Sequence, residues 1–411
     1  MRADDLVVGL DIGTTKISVI IAEKNEYGSF EVIGVSQLPS QGIRKGVVVN
    51  IEKVVHEIRA AVEAAEIQAG REVSGLYISI TGGHVEGINS KGVVAISGRG
   101  REIEKSDIDR VIEAARAIAM PMDREIIHII PQEFSIDQQH GVKNPLGMTG
   151  VRLEGSVHIV TGTVSNAQMI IKCVEKAGYT PLDIVLEPLA SAKAVLTEDE
   201  KELGVALLDI GGGTTDLLVY LQGAPWYTDI YDLGGNQVTS DISIGLKLPL
   251  QTAENIKKDY GIASLDIVNP EQIMEIPGVG GREPRKIRRL FLAEVIEPRI
   301  REIFQIVKEV LLKNEYYEKL GGGIVLTGGT VMIPGIIELG CDVFGLPVRI
   351  GNPFQFGGLK DEYHKPSFAT GLGLVMYGSE LELQQGYSTN RLERGLSGVI
   401  KRVGGWLKEF F

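Results

Sequence analysis

Leu208-Asp209-Ile210-Gly211-Gly212-Gly213-Thr214-Thr215-Asp216 decides how this 411-residue chain folds, because an earlier stretch, Leu10-Asp11-Ile12-Gly13-Thr14-Thr15, repeats its opening. In both, a short apolar run reaches an aspartate and then turns through glycine into a threonine pair. Such a run, bounded by turn residues, reads as a buried strand. Its aspartate lies at the carboxyl edge of the sheet, where open α/β sheets place ligands, and can hold the water shell of a magnesium ion. Glycine keeps side chains clear, so backbone amides and threonine hydroxyls can donate to phosphate oxygens. One such loop is commonly an ordinary tight turn. Two copies 198 residues apart, at positions 11 and 209, point instead to an internal duplication with one phosphate-binding jaw per half. A solenoid would repeat every 20 to 50 residues or so.

Outward from these loops, strand-like runs at 17–21 and 31–35 precede a helical pattern over 51–68, where Val54, Val55, Ile58, Ala61, Val62 and Ala65 recur and Gly70 is placed to stop the helix. The fold class is therefore α/β, two related domains around a cleft. Residues 1–83 with 163–195 form the first core, and 196–230 with 301–378 the second. The block 84–162, with a helix over 106–119, reads as an insertion, and so does 231–300 with its turn-rich 276–281 and basic 282–289. Residues 379–394 turn polar and read as a linker, followed by a helix over 395–411.

Two further segments belong to the cleft. Ile324-Val325-Leu326-Thr327-Gly328-Gly329-Thr330 is a strand ending in a glycine pair, which lets backbone approach a nucleoside. Glu187-Pro188 opens a helix rich in small residues suited to a hinge, and Glu187 is placed either to orient an attacking water or simply to meet the helix dipole. No Gly-x-x-x-x-Gly-Lys-Ser/Thr loop occurs. His56, His128 and His158 lie in periodic segments and read as structural, and Cys173 and Cys341 as buried thiols. A net charge of -12 argues against general nucleic-acid binding. The N-terminus lacks the pattern of a secretion signal, and no apolar stretch reaches membrane-spanning length.

Together the segments 10–15, 187–192, 208–216, 324–334 and 366–376 resemble the five nucleotide-site motifs of the actin, sugar kinase and heat-shock chaperone superfamily. Within it the chain is similar along nearly its whole length to the FtsA family of bacterial cell-division proteins. The most specific stretch is Asn144-Pro145-Leu146-Gly147-Met148-Thr149-Gly150-Val151-Arg152-Leu153-Glu154, joined by Leu233-Gly234-Gly235-Asn236 and Ala253-Glu254-Asn255-Ile256-Lys257. The resemblance implies an actin-like fold with two ribonuclease-H-like domains closing on magnesium-ATP. Lys16, Gly234, Gly235, Glu254, Lys257 and Thr330 then join Gly13, Thr14, Thr15, Gly211, Gly212, Gly213, Thr214, Thr215, Gly328 and Gly329 as nucleotide-binding residues, with Asp11 and Asp209 holding magnesium through water. It implies filaments of this chain, contacts with later division proteins through 84–162, and capture of the C-terminal tail of the tubulin-like protein FtsZ through 231–300, with Arg285, Arg288, Arg289, Arg299 and Arg301 facing its acidic residues. The site of action would be the cytoplasmic side of the cell membrane at the division site, and hydrolysis of ATP would be slow at most.

Beyond the linker, Leu396, Val399, Ile400, Val403, Trp406, Leu407, Phe410 and Phe411 fall at steps of three and four. With five basic and two acidic residues over 391–411, this face reads as a helix lying in an anionic membrane surface. One copy should bind weakly and a polymer by avidity. The competing readings are a pilus-assembly ATP-binding module of the PilM kind and a sugar-kinase-type phosphotransferase; the second leaves the terminal helix without a purpose.

Overall fold

The computed structural model describes residues 6–27, 29–98, 100–118, 120–278, 283–354 and 356–385. Strand β1 (Leu6–Ile12) is buried from Val7 onward and turns through Gly13, Thr14 and Thr15 into β2 (Lys16–Lys24), which pairs with β3 (Phe30–Pro39). A short pair, β4 (Ile43–Arg44) and β5 (Val47–Val48), leads to α1 (Ile51–Ala69). This is the helix expected over 51–68. The Asn50 side chain accepts from the Lys53 amide, Gly70 closes the end at φ 63°, and Val54, Ile58, Ala61, Val62 and Ala65 are buried. β6 (Gly75–Ile80) returns parallel to β1.

The chain then leaves for an inserted domain. β7 (Glu86–Ala95), α2 (Lys105–Arg116), β8 (Arg124–Ile136), β9 (Gln139–Val142) and β10 (Arg152–Thr163) form an antiparallel sheet in the order β7-β10-β8-β9. Ile108, Val111, Ile112 and Ala115 of α2 pack into a core with Phe134, Leu153, Val157 and Ile159. The helix stops at Arg116, short of the expected 119, ahead of Pro121.

α3 (Val164–Ala177), β11 (Thr180–Leu186), α4 (Glu187–Val195) and α5 (Glu198–Leu203) complete the first half. The second half runs β12 (Val205–Ile210), β13 (Thr215–Leu221), β14 (Ala224–Tyr231), α6 (Gly235–Leu246), α7 (Leu250–Tyr260), β15 (Ile273–Ile276), β16 (Arg285–Arg288), α8 (Arg289–Lys313), β17 (Ile324–Thr327), α9 (Ile336–Phe344), β18 (Val348–Ile350) and α10 (Ala369–Gln385). Its sheet order, β18-β17-β12-β13-β14, matches β11-β6-β1-β2-β3 strand for strand. β12 pairs antiparallel with β13 and parallel with β17, as β1 does with β2 and β6. The duplication is thus a whole folded unit, and the two aspartates end equivalent central strands.

α4 and α10 contribute to one hydrophobic cluster with residues of both sheets. They cross so closely that a Cβ at Gly373 would lie 1.8 Å from the Ala190 carbonyl oxygen, so only glycine fits there. The inserted domain also docks on the second half. Asn89 donates to the Trp226 carbonyl (2.9 Å), Gln132 to the Pro225 carbonyl (2.9 Å), and His158 bridges Asn89 (2.7 Å) and Thr228 (2.8 Å).

Four expectations change. Cys341 is exposed, because α9 buries Ile336, Leu339, Gly340, Val343 and Phe344 and position 341 falls outside that stripe. α8 runs unbroken through residue 300, so the expected limit of the second insertion falls inside a helix, which also accommodates Pro298. The polar stretch from 379 continues α10 to Gln385, anchored by Lys193 paired with Glu380. His56 is exposed. Leu396, Val399, Ile400, Val403, Trp406, Leu407, Phe410 and Phe411 lie outside the described residues.

Candidate functional site

The first loop closes on itself, with the Gly13 amide donating to the Lys16 carbonyl at 3.0 Å. The second loop repeats the bond, Gly211 amide to Thr214 carbonyl at 2.9 Å. The two loops meet across the cleft: a Cβ at Gly212 would stand 2.3 Å from Thr15 Cγ2, and one at Gly213 2.6 Å from Thr14 Oγ1. Between them lies a cavity of about 40 Å³ lined by Asp11, Lys16, Thr81, Glu187, Asp209, Gly328, Gly329, Pro366, Ser367 and Thr370 besides the loop residues.

Its floor is acidic. Ser79 Oγ donates to Asp11 (3.1 Å) and to Glu187 (3.3 Å), Ser191 Oγ to Asp209 (2.5 Å), and Thr81 to Asp216. Asp11, Glu187 and Asp209 line this floor with one ammonium, Lys16, which stands 3.4 Å from Asp11 and also donates to the Ser367 carbonyl, while Asp216 is buried on the strand beside Asp209. Burial, and then the neighbouring carboxylates Asp11, Asp216 and Asp209, hold Glu187 well above the usual carboxylate range. Burial, followed by Asp209, pushes Asp216 up to about 8. Asp209 is raised by burial as well, and more weakly by Asp11, against its hydrogen bonds. Crowded together in so dry a place, these carboxyl groups oppose one another's ionisation.

Gly328 belongs to the same floor. It sits at φ 92°, and a Cβ would lie 2.4 Å from Asp209 Oδ1 and 2.6 Å from the Ile210 carbonyl oxygen.

Of the residues singled out in the sequence, Asp11, Gly13, Thr14, Thr15, Lys16, Glu187, Asp209, Gly211, Gly212, Gly213, Thr214, Gly328 and Gly329 come together here. Thr215 does not line the cavity; its hydroxyl donates to the Leu233 carbonyl. Gly234, Gly235, Thr330, Glu254 and Lys257 stand behind the second loop. The Gly235 amide and Thr330 hydroxyl both donate to the Gly211 carbonyl, and Lys257 bonds the Gly235 carbonyl, Thr239 and Glu254.

The arginines of the second insertion are largely satisfied within the chain. Arg299 pairs with Asp241 and Glu302, Arg301 with Glu297 and Asp342, Arg289 bonds Tyr260, Gly261 and Gln272, and Arg285 donates to the Leu246 carbonyl. Arg288 is exposed.

Sequence reasoning missed Ser79 and Thr81. The signal was present, since Ile80-Thr81-Gly82-Gly83 repeats Leu326-Thr327-Gly328-Gly329 at the ends of the equivalent strands β6 and β17.

A family described as "Cell division protein FtsA" matches residues 206–373, and one described as "SHS2 domain inserted in FTSA" matches 82–161. The cell division protein FtsA of Borreliella burgdorferi is 45% identical over 416 aligned positions, covering 99% of each chain. This chain belongs to the FtsA family of cell-division proteins. Among solved structures, the PilM-PilN type IV pilus biogenesis complex gives a TM-score of 0.66 at 19% identity, over 91% of this chain and 98% of that one. MreB5 of Spiroplasma citri bound to ADP gives 0.58 at 15%, over 94% and 100%. At those identities the likeness concerns fold alone, and the fold of this FtsA-family chain is actin-like. Among its described residues no helix is long and apolar enough to cross a membrane, and no three His, Cys, Asp or Glu side chains stand together as ligands for a metal ion.

Proposed function

We propose that the cleft binds magnesium-ATP and that nucleotide gates the assembly of this FtsA-family chain into filaments. These filaments would lie on the inner face of the cytoplasmic membrane and tether FtsZ to it during septum formation. The observation that carries the reading is the paired glycine loops facing three buried carboxylates, Asp11, Glu187 and Asp209, with Lys16 among them. The donor set fits magnesium. Asp11 and Asp209 would hold the ion through its water shell, as a magnesium site built on few carboxylates and substrate phosphates does, and the ion would supply the missing positive charge beside the phosphates. The amides and hydroxyls of Thr14, Thr15, Gly212, Gly213 and Thr214 donate to phosphate oxygens, while Gly13 and Gly211, whose amides close the loops, keep side chains clear. Gly328, Gly329 and Thr330, with Glu254 and Lys257 behind the second loop, take the nucleoside side.

The loops touch, and the cavity between them has room for only about three waters. A triphosphate enters only when the halves part. Their relative position then reports what is bound, which is the property a nucleotide-gated polymer needs. Glu187, which shares the Ser79 hydroxyl with Asp11, would orient a water for slow hydrolysis. The inserted domain and the α6 to α8 region serve as contact surfaces, the first for neighbouring subunits and later division proteins, the second for the FtsZ tail. The acidic partners found by Arg299 and Arg301 direct attention to Arg288, exposed beside the equally exposed Lys286, as a basic group open to that tail. The terminal apolar stripe from Leu396 to Phe411 seats the filament on anionic lipid.

Sedimentation with anionic vesicles tests the adaptor. The full chain with ATP and magnesium should carry FtsZ to the vesicle pellet, and a chain ending at residue 395 should leave it in solution while still binding nucleotide. FtsZ pelleting equally with both chains would overturn the tethering reading.

A further inference from the structure

The two halves repeat a Thr-Gly-Gly motif in different registers. Thr327, at the end of β17 and opposite Asp209, is fully buried and donates to the carbonyls of Gly351 (3.0 Å) and Pro366 (3.4 Å). Its counterpart in the first half is Ser79, since Leu10 pairs with Ile78 as Leu208 does with Leu326. Thr81, two residues further and just past β6, is also buried and donates across the cleft to the carboxylate of Asp216, on β13 of the opposite half.

The turn after Thr81 also abuts the opposite half. Gly82 sits at φ 123°, a Cβ at Gly83 would stand 3.1 Å from Asp232 Oδ1, and the chain then enters the inserted domain. Lys45 of the first half lies 3.5 Å from the same Asp232, but that pair is half exposed and contributes little. The Thr81 to Asp216 bond is the buried one. It exists only while the halves are together, and its acceptor lies on the strand beside Asp209.

We propose that Thr81 is a positioning residue for the nucleotide site, fixing the Asp216 carboxylate from across the cleft so that retention of nucleotide depends on closure of the two halves. The proposal rests on the cleft being a nucleotide site. Thr81 acts through Asp216, the residue its hydroxyl bonds. A buried carboxyl left without its hydrogen-bond partner is costly, so removing the hydroxyl should speed nucleotide release by on the order of tenfold.

The experiment is a stopped-flow chase of methylanthraniloyl-ATP with magnesium from the full chain. Thr81→Val keeps the shape of the side chain, and Thr81→Ala serves if valine does not fold, as judged by thermal melting without nucleotide. Release from either is expected about tenfold faster than from the parent, and from Thr81→Ser within about twofold of it. In an Asp216→Ala background, Thr81→Val should change release by less than about twofold, because its acceptor is already gone. Parent-like release from Thr81→Val and Thr81→Ala, failure of serine to restore retention, or an undiminished effect in the Asp216→Ala background would each overturn the proposal. A parent chain that does not bind the analogue overturns the nucleotide reading instead, so the two failures are distinct.

Discussion

Ser191, on α4, donates to Asp209 Oδ2 at 2.5 Å, and so ties the helix that links the halves to the aspartate that ends the second central strand. Thr370, from the start of α10, bonds both Ser191 (3.0 Å) and the same carboxylate oxygen (3.4 Å). Ser191→Ala leaves a buried carboxylate short of a donor. It should destabilise the chain by roughly 1 to 3 kcal/mol, measured by urea unfolding without nucleotide.

The acidic floor predicts a pH dependence opposite to the usual one for carboxylates. Asp216 is held at about 8, chiefly by burial and then by Asp209. Between the ordinary carboxylate value near 4 and that raised value, the folded chain binds a proton that the unfolded chain has released, so stability is lost as pH rises from about 4 to about 8. Urea midpoints compared at about pH 5.5 and about pH 8 should fall more steeply for the parent than for Asp216→Asn. Equal slopes would contradict the charge crowding.

His158 runs the other way. Burial lowers it to about 4, and it joins Asn89 of the inserted domain to Thr228 of β14. Below the unfolded histidine value of about 6.5 the unfolded chain gains a proton that the folded chain refuses, so this contribution is lost as pH falls from about 6.5 to about 4. His158→Ala should cost roughly 2 kcal/mol or more at neutral pH and speed amide exchange in β7, read by mass spectrometry.

Gly328→Ala drives a methyl group onto Asp209 Oδ1 and the Ile210 carbonyl oxygen from a left-handed backbone position. Nucleotide affinity, titrated with a fluorescent ATP analogue, should fall by on the order of tenfold or more. Gly329→Ala, whose added methyl meets open space, should give the smaller change.

The paired loops made the duplication legible, because the Asp-x-Gly signal is local and each copy folds from its own residues. Thr81 stayed hidden although its Thr-Gly-Gly motif is repeated. Its strand carries the polar Ser79, and the inserted domain interrupts the α/β rhythm just after it, so β6 did not stand out as the partner of β17. Arg299 and Arg301 read as part of a basic patch because one acid of each lies far off in sequence, Asp241 on α6 and Asp342 on α9, while Glu302 and Glu297 are their neighbours on α8. Cys341 misled for a related reason. Its segment is apolar enough to suggest burial on every side, while the helix it forms presents only one face to the core.

Isothermal titration of the full chain with ATP, with and without magnesium, is the most direct test that this cleft is a magnesium-nucleotide site. The account predicts saturable one-to-one binding that needs magnesium and is weakened by on the order of tenfold or more in both Asp11→Asn and Asp209→Asn. ATP binding of equal strength without magnesium and in both variants, or no binding by the parent chain, would contradict it.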